Sequence, residues 1–270
     1  MSKVFVFDTA KCDGCYVCQV ACKDEHCGND WMPYAKPQPE TGQFWLKINE
    51  YERGTIPKVK VAYVAGMCQH CDDAPCIPAC PNEAIYKRND GLVIIDPVKC
   101  TGNQLCIDAC PYGVIYFNQG LKIAQKCTGC AHLLDRGWPI TEPRCTDACA
   151  GSVIKFGEEA DFSAEIAQAE RLTPNFGATP ATRVYYLNLP KRFIAGTVYD
   201  PGNKEVVIGA TCTLSGDGSG TATTDEFGDF WFEGLAVGTF SLKIEKDGKT
   251  FTKDDISTEK DKNLGDIALS

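Results

Sequence analysis

The chain has 270 residues, a formal net charge of −9 and 23% charged side chains, a length that admits two compact domains, each with its own apolar core. No block of Lys and Arg is suited to tracking a phosphate backbone, which excludes nucleic acid as an expected partner. No run approaches the roughly 18 apolar residues of a spanning helix, and Met1 to Thr9 (MSKVFVFDT) lacks an export pattern. Of the 17 cysteines, sixteen lie between Cys12 and Cys149. Without an export pattern, such a chain is expected to stay in the reducing cytoplasm and to use its thiolates for metal rather than for disulfides.

The first cysteine group is Cys12-x2-Cys15-x2-Cys18-x3-Cys22. Two-residue gaps wrap the backbone round one corner of a cubane so that three thiolates reach three irons. The fourth cysteine, one helical turn on, points towards a different cluster, so one such group implies a second. Gly14 suits the loop because it tolerates backbone angles that a Cβ forbids.

The second group, Cys68-x2-Cys71-x4-Cys76-x3-Cys80, ends in a Cys-Pro step at Pro81. The third keeps Cys100, Cys106, Cys110 and Pro111 but has Asn103 where a cysteine belongs. An amide oxygen is a harder donor than a thiolate. This leaves open a four-iron cluster with Asn103 or water at its corner, a [3Fe-4S] cluster, and weak binding. The fourth group is Cys127-x2-Cys130 and, after a 14-residue insertion, Cys145-x3-Cys149.

Zinc fits this pattern poorly, because one ion needs four convergent ligands and each tight loop offers three thiolates while sending the fourth elsewhere. Cys27 and Cys212 fit no group and read as small buried side chains. His26, His70 and His132 read as neighbours of the ligands, with no catalytic role. Lys126, beside Cys127, reads either as a charge that raises a nearby potential or as a solvated side chain.

Beyond the cysteines, Phe162, Ile166 and Ala169 recur at helical spacing within Gly157 to Leu172, which predicts an amphipathic helix packed on the cysteine domain. Pro174, Gly177, Pro180 and Pro190 mark a linker. From about Phe193, short runs rich in Val, Thr and Phe are separated by turns at Asp200-Pro201-Gly202, Gly216-Asp217-Gly218 and Asp247-Gly248. Alternation in Phe230-Trp231-Phe232 and from Phe240 to Ile244 predicts a small antiparallel sandwich. The expected division is therefore 1–156 for the cysteine domain, 157–190 for helix and linker, and 191–270 for the sandwich.

With its four groups in this order, the cysteine domain resembles the iron–sulfur beta subunits of the molybdopterin oxidoreductases of the dimethyl sulfoxide reductase family. The segment Thr224 to Phe232 (TDEFGDFWF), followed by Leu235 and Gly238-Thr239-Phe240, looks like a carboxypeptidase-regulatory or transthyretin-like sandwich. A cluster domain with such a tail is similar to the small subunits of the branch that acts on polyhydroxylated aromatics. So are Asp24-Glu25-His26, Cys110-Pro111-Tyr112-Gly113, Gln125-Lys126-Cys127-Thr128 and Ala131-His132-Leu133-Leu134-Asp135.

The resemblance implies an α+β ferredoxin-like polycluster domain, built of two pseudo-symmetric bacterial-ferredoxin halves, followed by the all-β sandwich. It also implies crossed ligand sets. Cys12, Cys15, Cys18 and Cys149 form one; Cys22, Cys127, Cys130 and Cys145 a second; Cys68, Cys71, Cys76 and Cys110 a third. Cys80, Cys100 and Cys106 form the fourth, with Asn103 at the non-cysteine corner.

Three to four clusters are implied, mostly [4Fe-4S], the one at Asn103 open to being [3Fe-4S]. A large catalytic subunit carrying a molybdenum or tungsten pterin cofactor is the implied heterodimer partner. This chain is then the electron-transfer subunit of an oxidoreductase or hydroxytransferase, with no direct insertion in a membrane. Retention of Cys100 and Cys106 departs from that aromatic branch and implies net electron flow, as a phenol hydroxylase or dehydroxylase requires. The same relay would suit another molybdopterin reductase or a stand-alone polyferredoxin. The sequence shows no nucleophile–base set and no phosphate-binding glycine loop, so the chemistry is expected in the partner.

Overall fold

The computed structural model describes residues 2–137 and 141–270. Two compact units emerge: Met1–Glu50 with Tyr63–Leu189, and Tyr51–Ala62 with Pro190–Ser270.

In the first unit, β1 (Lys3–Asp8) leads through the first ligand loop into α1 (Val17–His26). A hairpin follows, β2 (Leu46–Thr55) with β3 (Lys58–Met67), whose tip counts with the second unit. Next come β4 (Ile85–Lys87) paired with β5 (Val93–Ile95), the single-turn helix α2 (Leu105–Asp108), and β6 (Tyr116–Asn118) paired with β7 (Ile123–Gln125). Helices α3 (Ala131–Arg136) and α4 (Arg144–Asp147), strand β8 (Ile154–Glu158), helix α5 (Ser163–Ile166) and strand β9 (Val184–Leu187) complete it.

Strand β1 is central, antiparallel to β8 and parallel to β9. Its sequence KVFVFD is apolar on both faces, as a doubly covered strand requires. Period-two alternation sends Phe5 and Phe7 into the core that holds the buried cysteines, and Val4 and Val6 to the opposite face, under Tyr185.

The helix expected over 157–172 is not formed as one element. Residues up to Glu158 are drawn into β8 by pairing with β1, reinforced by the Lys3–Glu158 ion pair at 2.8 Å. Glu159–Phe162 makes a 3-10 turn, and α5 adds one turn. Sheet pairing overrides local helix periodicity here. Phe162, Ile166 and Ala169 nevertheless cover Val4 and Val6. The segment treated as linker likewise contributes β9 to the sheet.

The second unit contains β10 (Arg192–Tyr199), β11 (Thr211–Gly216), β12 (Gly220–Thr223), β13 (Asp229–Leu235), β14 (Thr239–Lys246), β15 (Lys249–Ser257) and β16 (Lys262–Ala268). They form a three-stranded sheet, β13-β10-β16, and a four-stranded sheet, β12-β11-β14-β15. Both sheets contribute to one core, with Ile194, Phe230 and Ile267 from the first and Leu214, Leu242 and Ile244 from the second. Each such side chain stabilises the unit by roughly 1.5–3 kcal/mol when fully buried. Asp247 and Gly248, both at positive φ, make the β14–β15 turn, as a tight hairpin demands. Cys212 lies in this core, and burial pushes its thiol up to about 12, the condition of an inert side chain.

Candidate iron–sulfur centres

The four ligand loops share a backbone signature. The residue before the second ligand position has positive φ in every group: Gly14 (+73°), His70 (+45°), Gly102 (+76°) and Gly129 (+62°). At Gly14 a Cβ would sit 2.4 Å from the Tyr63 ring, and at Gly102 it would sit 2.3 Å from the Lys122 carbonyl oxygen. Glycine is therefore required there twice over, by conformation and by space. Tyr16 (+59°) follows Cys15 and Gln104 (+65°) follows Asn103. The third loop thus keeps the conformation of the first although its cysteine is replaced.

The thiols act on one another from group to group. Burial first, then the charges of Cys149, Cys12 and Cys15, push Cys18 up to about 12. Burial followed by Cys127 and Cys130 raises Cys22, and burial followed by Cys22, Cys130 and Cys127 raises Cys145. Cys71, up to about 12, responds after burial to Cys68 and Cys110. Cys106, up to about 11, responds after burial to Cys100 and Cys80. Cys18 acts more weakly on Cys22 and Cys145 as well, so the neighbourhoods of these thiols overlap.

Cys68, Cys71, Cys76 and Cys110 also line one cavity, walled by Ala74 and Ile115. Among the described residues no three or more His, Cys, Asp or Glu converge closely enough for a single ion. The four thiols instead surround a space. Soft thiolate donors on apolar walls fit an iron–sulfur cluster. Cys71 and Cys76, which burial pushes up to about 12, need its cationic irons to ionise, so loading releases protons. Backbone N–H groups already point at sulfur, from Ala124 to Cys100, Gly129 to Cys127 and Val153 to Cys149, each at 3.3 Å.

Asn103 differs from the cysteines. Its Oδ1 accepts the Leu105 N–H at 3.1 Å and its Nδ2 lies 3.4 Å from Asn82 Oδ1, which also accepts the Thr101 hydroxyl at 2.7 Å. Asn103 holds the loop position that Cys15 holds in the first group, but its amide is engaged with the loop. Asn82 had no signal in the sequence, because its role arises only when the second and third groups meet.

Residues 59–159 match the 4Fe-4S dicluster domain, and residues 194–270 match the carboxypeptidase regulatory-like domain. The chain is 38% identical to the pyrogallol hydroxytransferase small subunit of Pelobacter acidigallici, with 98% of both chains covered. It is 32% identical to a tetrathionate reductase subunit of Salmonella typhimurium, over 70% of this chain and 73% of that one. Identity to a sulfite dehydrogenase subunit of Allochromatium vinosum is 33%, over 69% and 82% of the two chains. The chain belongs to the iron–sulfur subunits of the dimethyl sulfoxide reductase family. It is an electron-transfer subunit of a molybdopterin oxidoreductase and binds [4Fe-4S] clusters. Among the described residues no helix is long and apolar enough to cross a membrane.

In this iron–sulfur subunit the three histidines are buried beside the thiols. His26 places Nε2 3.7 Å from Cys130 Sγ and packs on Trp45. Burial, then the charge of His132, lowers His26 to about 3, so it is neutral. His132 is stacked on Trp31 at 4.4 Å and pairs through Nε2 with Glu25 at 2.9 Å; Glu25 in turn meets Arg144 at 3.2 Å.

Lys126 is not solvated: it is 2% exposed, and its Nζ donates to the carbonyls of Val93 and Cys127. It faces the cavity of the third set. Burial alone would raise Cys68, but His70 and Lys126 beside it bring it down to about 6. Sequence spacing placed Lys126 beside Cys127 but carried no indication of this second neighbour.

Proposed function

We propose that the subunit holds four clusters in the crossed sets given above and passes single electrons along them to or from a large catalytic partner. The supporting observation is that the thiols acting most strongly on Cys18, on Cys22, on Cys71 and on Cys106 belong in each case to one set. The second and third sets are wholly buried, whereas Cys15 of the first set and Asn103 at the fourth are exposed. Buried inner sites and partly open outer ones suit a relay entered at one end and left at the other. Each cluster would supply a one-electron couple. The chain supplies spacing, amide hydrogen bonds to sulfur and a local charge, the factors that set potential. The fourth set is a four-iron cluster with a non-cysteine corner, or a [3Fe-4S] cluster if that iron is lost.

The partner would carry the molybdenum or tungsten pterin cofactor in a cytoplasmic heterodimer and act on polyhydroxylated aromatics. Near-complete coverage, tail included, against the pyrogallol hydroxytransferase small subunit supports this reading over a sulfur-oxyanion reductase, whose relatives align over about 70% of this chain. The test is anaerobic affinity purification from the native cell, with metal analysis and assays on pyrogallol and catechols. A large molybdenum- or tungsten-containing partner active on these phenols is the expected result. An iron-only monomer would refute the subunit assembly, and a partner active only on sulfur oxyanions would refute the substrate class.

A further inference from the structure

His70 occupies the position that glycine holds in the other three ligand loops, and its φ of +45° is unfavourable for an L side chain. Loop geometry alone would select glycine, so the ring itself calls for an explanation. It is fully buried, lies nearly parallel to Phe5 (6.1 Å, 14°), and takes the Val93 N–H on Nδ1 at 3.0 Å. A ring nitrogen that accepts an N–H carries no proton, which assigns the proton to Nε2. Nε2 is buried with no hydrogen-bond partner, an orphaned donor on a ring that the Cys68 and Cys127 thiols act upon. Those two sulfurs belong to different sets, the third and the second.

We propose that His70 is a fixed, neutral N–H donor shared between the two inner cluster sites, stabilising the added electron at each and raising both potentials together. Donation to sulfur favours the more negative, reduced cluster. Val93 orients the ring, and Phe5 restrains its plane. This inference rests on the crossed ligand sets proposed above.

The test uses the anaerobically purified full-length chain with its partner, as wild type, His70→Gly and His70→Asn. Iron is counted before potentiometric titration followed by electron paramagnetic resonance. Glycine relieves the backbone and removes the donor; asparagine tolerates the left-handed region and retains an N–H. In His70→Gly, the reduced-to-oxidised ratio of both inner clusters at fixed potential should fall about tenfold, or ~59 mV for a one-electron couple. The outer clusters should be unmoved, and His70→Asn should lie between. Unchanged midpoints at full iron content would overturn the proposal, as would a shift confined to one cluster. Loss of iron from both variants would also overturn it, by making His70 an assembly residue. A wild-type complex without two inner clusters would refute the ligand sets themselves, and that result is read before any variant.

Discussion

Asn103 Oδ1 accepts the backbone N–H of Leu105 at 3.1 Å, tying the open corner of the fourth set to the start of α2. Left-handed residues flank Asn103 as they flank Cys15, so the loop already has the conformation of a cysteine ligand. Asn103→Cys should therefore leave the fold intact, since the freed N–H lies at an exposed position and returns to water. The fourth cluster should become fully thiolate-bound and lower in potential. The reduced protein's electron paramagnetic resonance spectrum is the check, and an unchanged spectrum would count against ligation at this corner.

Removing the buried charge beside the third set should act in the same direction by another route. Lys126 faces Cys68, Cys71 and Cys76 from inside the core. A unit charge at such range stabilises an added electron by on the order of 2 kcal/mol. Lys126→Met should lower the midpoint of that cluster more than those of the outer ones. Equal shifts at every cluster would point instead to a general loosening of the fold.

Acid sensitivity of the second unit should involve Asp229. Burial alone would raise its carboxyl, but hydrogen bonds from Lys58 and Thr197 outweigh that and hold it below the usual range. A carboxylate depressed in the folded state contributes stability above its ordinary value near 4, and that stability is lost as pH falls through its lower folded value. Asp229→Asn should lower stability by on the order of 1–3 kcal/mol at pH 7, because Lys58 is left buried without its counter-charge. The difference from wild type should shrink below about pH 4. Thermal unfolding of both chains across this range reads it directly, and parallel curves would exclude the ion pair as the cause.

Leu242 is fully buried between the two sheets of the tail. Leu242→Ala should cost about 2–5 kcal/mol through lost burial and a residual cavity. Denaturant unfolding of the full chain should show it as a transition at lower denaturant concentration. A loss under about 1 kcal/mol would mean the site collapses on itself.

Local spacing was sufficient to identify the ligand groups, because Cys-x2-Cys and Cys-x3-Cys geometry lies within one loop and one helical turn. The strand texture of the tail was equally legible, since period-two alternation records which face is buried. Tertiary pairing decided the rest. Lys3 to Asp8 claims Gly157 and Glu158 for a strand at the start of the segment where local periodicity indicates a helix, and hydrogen bonds to a neighbouring strand outweigh a propensity of tenths of a kcal/mol per residue. The Val93 N–H on His70, the Lys126 bond to Val93, and the Asn82 contact with Asn103 all join segments far apart in the chain. Composition and spacing determined that the chain gathers thiolates; the packing of distant loops decided which charges and donors those thiolates meet.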